Sequence, residues 1–326
     1  MIIRPAKDTD TEKLMTLAAK AGQGLTTLPK NEAGWRERIE DSLTSFARPA
    51  DSLSAETYLL VLEETDSTLS GVSAIYTNLG HGQPFYSYRL SKHAARAPEI
   101  GVSCEATVLS LVNDFHGYAE IGTLFLDPAM RGGGRGTLLS FSRFMLMASM
   151  RERFGPQVMA EMRGWTDESG RSPFWEAVGR KFFKLDFADA DAKSGVSNRF
   201  IADLMPKVPI YTELLPDEAQ RVIGLTHDKT RPARALLEKQ GFRFRNQVDV
   251  FDAGPCLEAD LENIPLIRGA RACTVGDLTD DDLAASALIA RADDDFRVTQ
   301  TPLSRDDLTA ALGATPDTEV LYSTLS

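Results

Sequence analysis

The sequence predicts an α/β chain of the α+β kind, and three observations carry that prediction. Short apolar runs alternate with stretches whose apolar residues recur at helical spacing. Two strand-like runs are separated only by a polar connector, as in a hairpin. A glycine-rich loop lies between a strand-like run and a helical one. In order, Ile2-Ile3-Arg4 reads as a strand, followed by a turn with Asp10 or Thr11 as N-cap of a helix. That helix runs through Leu14, Leu17, Ala18 and Ala21 and stops at Gly22. Tyr58–Leu62 and Gly71–Tyr76 form the strand pair, joined by polar Glu63 to Ser70. Leu124-Phe125-Leu126 is a strand, Asp127-Pro128 a turn, and Gly132-Gly133-Gly134 a loop that needs unusual backbone freedom. Leu138, Phe141, Met145 and Ala148 then place a helix over 137–154, and Val158–Arg163 is a further short run. A helix over 235–240 ends in a Gly-capped turn before strand-like Phe242–Phe244 and Gln247–Phe251.

The glycine loop is the segment richest in chemistry. A strand, a loop and a helix N-terminus bring free N–H groups together at the positive end of the helix dipole, which suits a phosphate. Arg131 and Arg135 can add charge-assisted hydrogen bonds. A Walker loop is excluded, because Gly136-Thr137 lacks the lysine. The dinucleotide spacing fails where Thr137 replaces its last glycine. Arg-x-x-Gly-x-Gly fits, through Arg131, Gly134 and Gly136.

Composition narrows the partners. The chain has 326 residues, 43% hydrophobic and 25% charged, with a net charge of −11. Such a balance argues against a nucleic-acid partner and favours a cationic substrate. No apolar run reaches membrane-span length, and no signal peptide opens the chain, so a cytoplasmic protein is expected. Cys104, Cys256 and Cys273 are scattered and read as reduced core thiols, with a catalytic thiol the alternative. The histidines, His81, His93, His116 and His227, lack metal-ligand spacing, so no metal is expected.

The loop pattern and the element order together resemble the acyl-CoA N-acyltransferase (GNAT) superfamily. Longer stretches look like the arginine N-succinyltransferase family: Gly22–Pro29, Ile121–Pro128, Ala160–Gly164, Ser172–Glu176, Leu204–Tyr211, Pro232–Arg243 and Val250–Pro255. This resemblance spans roughly residues 1 to 265. It implies a mixed, mostly antiparallel central sheet. Two similar segments about 60 residues apart, around Trp175 and Leu237, divide the chain into an acyltransferase domain over 1–200 and a second smaller α/β half over 201–265, and a small α+β or barrel-like appendage is expected over 266–326. The resemblance also implies succinyl-CoA as acyl donor, L-arginine as acceptor at its α-amine, and a homo-oligomer or a hetero-oligomer with a related subunit. A related enzyme acting on ornithine or another amino acid, or a non-catalytic CoA-binding subunit, remains an alternative.

By resemblance, the backbone N–H groups of Leu124, Phe125 and Leu126 face the thioester and pantetheine. The loop Arg131, Gly132, Gly133, Gly134, Arg135, Gly136 and Thr137 holds the pyrophosphate. Direct attack by an amine of pKa about 8 needs a base. Glu120 and Glu161, on or beside the strands flanking the acyl group, are candidates, with His227 and His116 as alternatives. Asp228 or Thr230 would cap the helix after His227. The tyrosine that many superfamily members use as proton donor is replaced by Trp175 in one matching segment and Leu237 in the other. Substrate charges require partners, for which Thr26, Thr27, Asn113, Asp114 and Arg163 are candidates. Four of them also have a plain structural reading: a helix cap for the threonines, an Asx-turn for Asp114, an ion pair with Glu161 for Arg163.

Overall fold

The computed structural model describes residues 1–21, 27–49, 54–194 and 199–325. The chain starts with β1 (Ile2–Pro5), α1 (Thr11–Ala18) and α2 (Glu32–Ala47), followed by β2 (Thr57–Glu63) and β3 (Leu69–Tyr76). A long hairpin, β4 (Ser87–Ala97) and β5 (Val102–Val112), precedes β6 (Ala119–Leu126), α3 (Arg135–Ser149) and β7 (Gln157–Glu161). Next come α4 (Pro173–Ala177), α5 (Gly179–Phe183), α6 (Phe187–Ser194), α7 (Arg199–Leu204), β8 (Ile210–Tyr211), α8 (Asp217–Val222) and α9 (Arg231–Lys239). Then β9 (Arg243–Asp249), β10 (Pro255–Asp260) and α10 (Pro265–Arg268) follow. The last stretch is β11 (Arg271–Thr274), α11 (Asp280–Ala284), β12 (Ala287–Arg291), β13 (Arg297–Gln300), α12 (Arg305–Leu312) and β14 (Glu319–Thr324).

Among the described residues all strands join one sheet, in the order β11-β14-β12-β13-β1-β2-β3-β6-β7-β10-β9-β4-β5-β8. The pairings are antiparallel except β6 with β7. α3 lies on one face, where Leu138, Phe141, Phe144 and Met145 pack with Ile3, Leu60, Ile121, Val158 and Leu257. α1 and α2 cover the other face, with Leu14, Leu17, Trp35 and Ile39 against Leu59, Val61, Val72 and Phe125. With a layer on each face, β2 and β3 are buried almost continuously, their successive side chains turned to opposite layers.

Several local details differ from the sequence reading. Neither Asp10 nor Thr11 caps α1 through its side chain. The Asp10 carboxylate instead takes the Arg4 guanidinium at 2.7 and 3.0 Å and the Lys7 N–H at 2.8 Å. Sequence periodicity missed α2 because its inner face carries Ser42 and Ser45 beside Trp35 and Ile39. Both serine hydroxyls accept N–H groups of β2, from Leu59 at 2.9 Å and Thr57 at 3.1 Å, so the face is polar but satisfied. The β4–β5 hairpin was missed because its outer half is exposed and rich in Ala, Ser, Lys and Arg. Of the cysteines only Cys256 is buried; Cys104 is exposed and Cys273 lies between. The C-terminal stretch is α+β and continues the main sheet through the register Ile3↔Val298.

Candidate active site

β6 and β7 pair over only two residue positions, Ala119↔Val158 and Glu120↔Met159. Beyond them β6 is held by β3 and β7 by β10, and a gap opens between the strands. β6 is also irregular: Val72 faces Phe125 and Ala74 faces Gly122, so Thr123 and Leu124 together oppose Ser73. This is a β-bulge, and Thr123 carries its positive φ of 50°. The extra residue reverses the strand's facing. Ile121, Leu124 and Leu126 pack on the α3 side and Phe125 on the α1–α2 side.

Beside the bulge, Glu120 and Tyr76 are direct cross-strand partners. A Cβ on Gly122 would lie 3.2 Å from Tyr76 Cε2 and 3.4 Å from Glu120 Oε1, so these two side chains flank the same glycine. Tyr76 Oη is 2.6 Å from Thr123 Oγ1 and accepts from Arg38 Nη1 at 3.2 Å. Arg38, on α2, also donates to the Thr27 carbonyl. Burial pushes Glu120 up to about 7, against the opposing pull of Arg38. Arg38 and Tyr76 were not found by sequence reading, since α2 was missed and Tyr76 read as an ordinary strand residue.

Across the gap, Glu161 ends β7 opposite Cys256. Its side chain is open to solvent. Surrounding protein and then the nearby carboxylates Asp249, Glu120 and Asp252 hold it well above the usual range. Asp252 and Asp249 have structural partners: Asp252 accepts N–H groups of Gly164 at 2.7 Å and Gly254 at 2.8 Å, and Asp249 those of Phe251 at 2.7 Å and Asp252 at 2.8 Å. The backbone past Glu161 bridges Gly164 to Thr226, and the His227 N–H donates to the Arg163 carbonyl at 2.8 Å. His227 itself caps the following turn, Nδ1 accepting from the Lys229 N–H at 3.1 Å; neither Asp228 nor Thr230 provides the cap expected from sequence. The ring proton is therefore assigned to Nε2. Burial, with nearby Arg163, moves His227 below its ordinary pKa. Arg163 makes no ion pair among the described residues, and its Nε is buried without a hydrogen-bond partner.

The glycine loop has three consecutive left-handed residues, Gly132 (φ 103°), Gly133 (φ 58°) and Gly134 (φ 77°). Among the described residues, the N–H groups of Gly133, Gly134, Gly136 and Thr137 have no backbone acceptor. Arg131 is exposed. Arg135 is mostly committed elsewhere, donating from Nε and Nη2 to Glu64 at 2.7 and 3.0 Å. Its Nη1 lies 3.0 Å from where a Cβ on Gly133 would be. The loop is thus an anion cradle built from backbone, with Arg135 anchoring it to the β2–β3 hairpin.

The remaining candidates are dispersed. Thr26 lies outside the described residues, and Thr27 offers its carbonyl to Arg38. Asn113 Oδ1 accepts from the Phe85 N–H at 3.1 Å, and Asp114 is ion-paired with Arg89 at 2.7 Å. His116 is exposed in the same turn. Trp175 is buried, its indole N–H donating to the Leu185 carbonyl at 3.0 Å, and Leu237 is core. Neither supplies an acid.

The chain as a whole is similar to known proteins. The family profile described as arginine N-succinyltransferase beta subunit matches residues 1–266. The arginine N-succinyltransferase of Escherichia fergusonii is 47% identical over 279 residues, covering 85% of this chain and 81% of that protein. That of Escherichia coli O6:K15:H31 is 46% identical over the same span. The solved structure of arginine/ornithine succinyltransferase subunit AI from Pseudomonas aeruginosa superposes with a TM-score of 0.88 at 31% identity, covering 100% of this chain and 98% of that one. With its splayed strand pair, bulge and glycine loop, the chain belongs to the arginine N-succinyltransferase family of acyl-CoA-dependent transferases.

Proposed function

We propose that this enzyme transfers the succinyl group of succinyl-CoA to the α-amine of L-arginine, with Glu120 as the proton acceptor. The observation that carries the residue assignment is Glu120 itself: a half-buried carboxyl at the mouth of the β6–β7 gap, raised to about 7 by loss of solvent against the opposing pull of Arg38. A base of that strength is half ionised at neutral pH and well matched to an ammonium of pKa about 8.

The donor lies along the gap with its pyrophosphate on the glycine loop. The unpaired edge of β6 at Leu124, Phe125 and Leu126 receives the pantetheine amides as a short added strand. The amine, once its proton passes to Glu120, attacks the thioester carbon; the C–S bond then breaks, and the thiolate takes a proton from the ammonium product or from water. His227, whose Nδ1 accepts from the Lys229 N–H, presents Nε2–H as a hydrogen-bond donor to the developing oxyanion. Arg163 supplies the cation for the succinyl carboxylate. Glu161, surrounded by other carboxylates, takes the guanidinium, whose positive charge relieves their mutual repulsion. Working in the cytoplasm and in an oligomer, with itself or a related subunit, belongs to the same proposal. The subunit wording in the family description and in the Pseudomonas protein's name supports the oligomer.

The test is thiol release by the purified chain, with succinyl-CoA and acetyl-CoA offered against arginine, ornithine and lysine. Turnover that requires succinyl-CoA and arginine supports the reading. CoA binding without turnover on any amine would leave the chain a CoA-binding subunit.

A further inference from the structure

Residues after 266 lie beyond the span matched by the family profile, yet one of them reaches the glycine loop. Gln300, the last residue of β13, sits against Gly134: a Cβ there would lie 3.0 Å from Gln300 Oε1 and 3.2 Å from its Nε2. Gly134 is the N-cap of α3 and uses no side chain to cap it. Gln300 thus occupies the flank where a capping side chain would stand.

Its position is rigid. Leu288, Ala290 and Val298 of the C-terminal strands, with Phe296 just before β13, join the core beneath α3. Thr301, the next residue, is tied to the Ala287 carbonyl through its N–H at 3.0 Å and to the Ala285 carbonyl through its hydroxyl at 2.6 Å. Yet the carboxamide has no hydrogen-bond partner among the described residues, and Oε1 is fully buried. The orphaned Oε1 is an acceptor, which a phosphate leaves unpaired; the atom that can serve a phosphate is the carboxamide's free donor, Nε2, 3.2 Å from the Cβ position on Gly134. On the other flank of the loop, Arg135 Nη1 stands 3.0 Å from the corresponding position on Gly133.

We propose that the C-terminal stretch completes the donor site, with the Gln300 carboxamide donating a hydrogen bond to a CoA phosphate held on the loop. This rests on the reading that the pyrophosphate lies on that loop. Loop N–H groups, Arg135 Nη1 and Gln300 Nε2 then surround the anion from three directions. The chain's net charge of −11 makes such local donors necessary for a polyanionic ligand.

The experiment measures CoA binding to the full chain by calorimetry in Gln300→Met and Gln300→Glu. Methionine keeps the packing against Gly134 and removes the donor, and thermal unfolding of the variant checks that it folds. Gln300→Met is expected to weaken CoA about tenfold, the value of one hydrogen bond to a charged group. Gln300→Glu, which sets a carboxylate against the phosphate, weakens it further. KM for arginine and kcat at saturating succinyl-CoA stay unchanged in Gln300→Met. Arg131→Glu tests the loop itself. If it weakens CoA while both Gln300 variants bind normally, the inference about Gln300 fails alone. If all three bind normally, the loop reading falls with it. A fall in kcat or a rise in KM for arginine in Gln300→Met would show a general structural role and overturn the assignment.

Discussion

As the proposed proton acceptor, Glu120 would act in opposite directions on stability and on chemistry. Its folded pKa of about 7 lies above the ordinary value of 4.5, so the native state binds the proton more tightly than the unfolded chain. Its ionisation therefore lowers stability as pH rises from about 4.5 through 7, and the full loss persists above that. Glu120→Gln should raise stability at pH 8, by up to about 3 kcal/mol, in thermal or urea unfolding. The same substitution should lower kcat roughly 10²–10⁴-fold and remove the acid limb of the pH profile of kcat/KM. An acid limb that survives would assign the base elsewhere, to Glu161 first. Arg163→Met should raise KM for succinyl-CoA roughly 10- to 100-fold while leaving acetyl-CoA little changed, measured as the ratio of the two specificity constants. Glu120, Glu161, His227 and Arg163 were legible in the sequence as residue types next to strands. The polarity of His227 was not, because its tautomer depends on a backbone N–H two residues on, at Lys229.

At the scale of elements, the strand–loop–helix unit was plain, because glycine triplets and helical spacing are local signals. The bulge at Thr123 was hidden: no residue in Ile121–Leu126 announces an extra position, and only the register against β3 reveals it. α2 was hidden for the opposite reason, since hydroxyls bound to strand edges imitate a solvent face. α3 holds a further oddity. Arg143 is fully buried and donates only within its own turn, to the Ser140 carbonyl and hydroxyl at 2.9 Å, and burial depresses it to about 9. Replacing a buried charge of this kind by an apolar side chain of like volume often stabilises. Arg143→Met should raise the unfolding free energy by about 1–4 kcal/mol in denaturant titration, with the loop and activity retained.

For the whole molecule, the continuous sheet makes the last sixty or so residues part of one structure. Residues beyond 266 provide Leu288, Ala290, Phe296 and Val298 to the core under α3. A chain cut after residue 266 should expose that face and be recovered aggregated or unfolded, as judged by near-ultraviolet circular dichroism and gel filtration. The sequence read this stretch as an appendage because its strands are short and its acidic turns dominate. Its union with β1 depends on pairing across almost the full chain length, a relation that local patterns do not encode.

The gap between β6 and β7 has one more consequence. Past Glu120 and Met159 the two strands lack the hydrogen-bonded rungs that would join them. A donor lying there with two amides of its own would fill those rungs, so the substrate becomes a transient structural member of the fold. Saturating CoA should then slow amide exchange along Gly122–Leu126 and raise the melting point, by the equivalent of about 2.7 kcal/mol at a hundredfold excess over Kd. Each turnover would in that sense build and dismantle one strand of the protein.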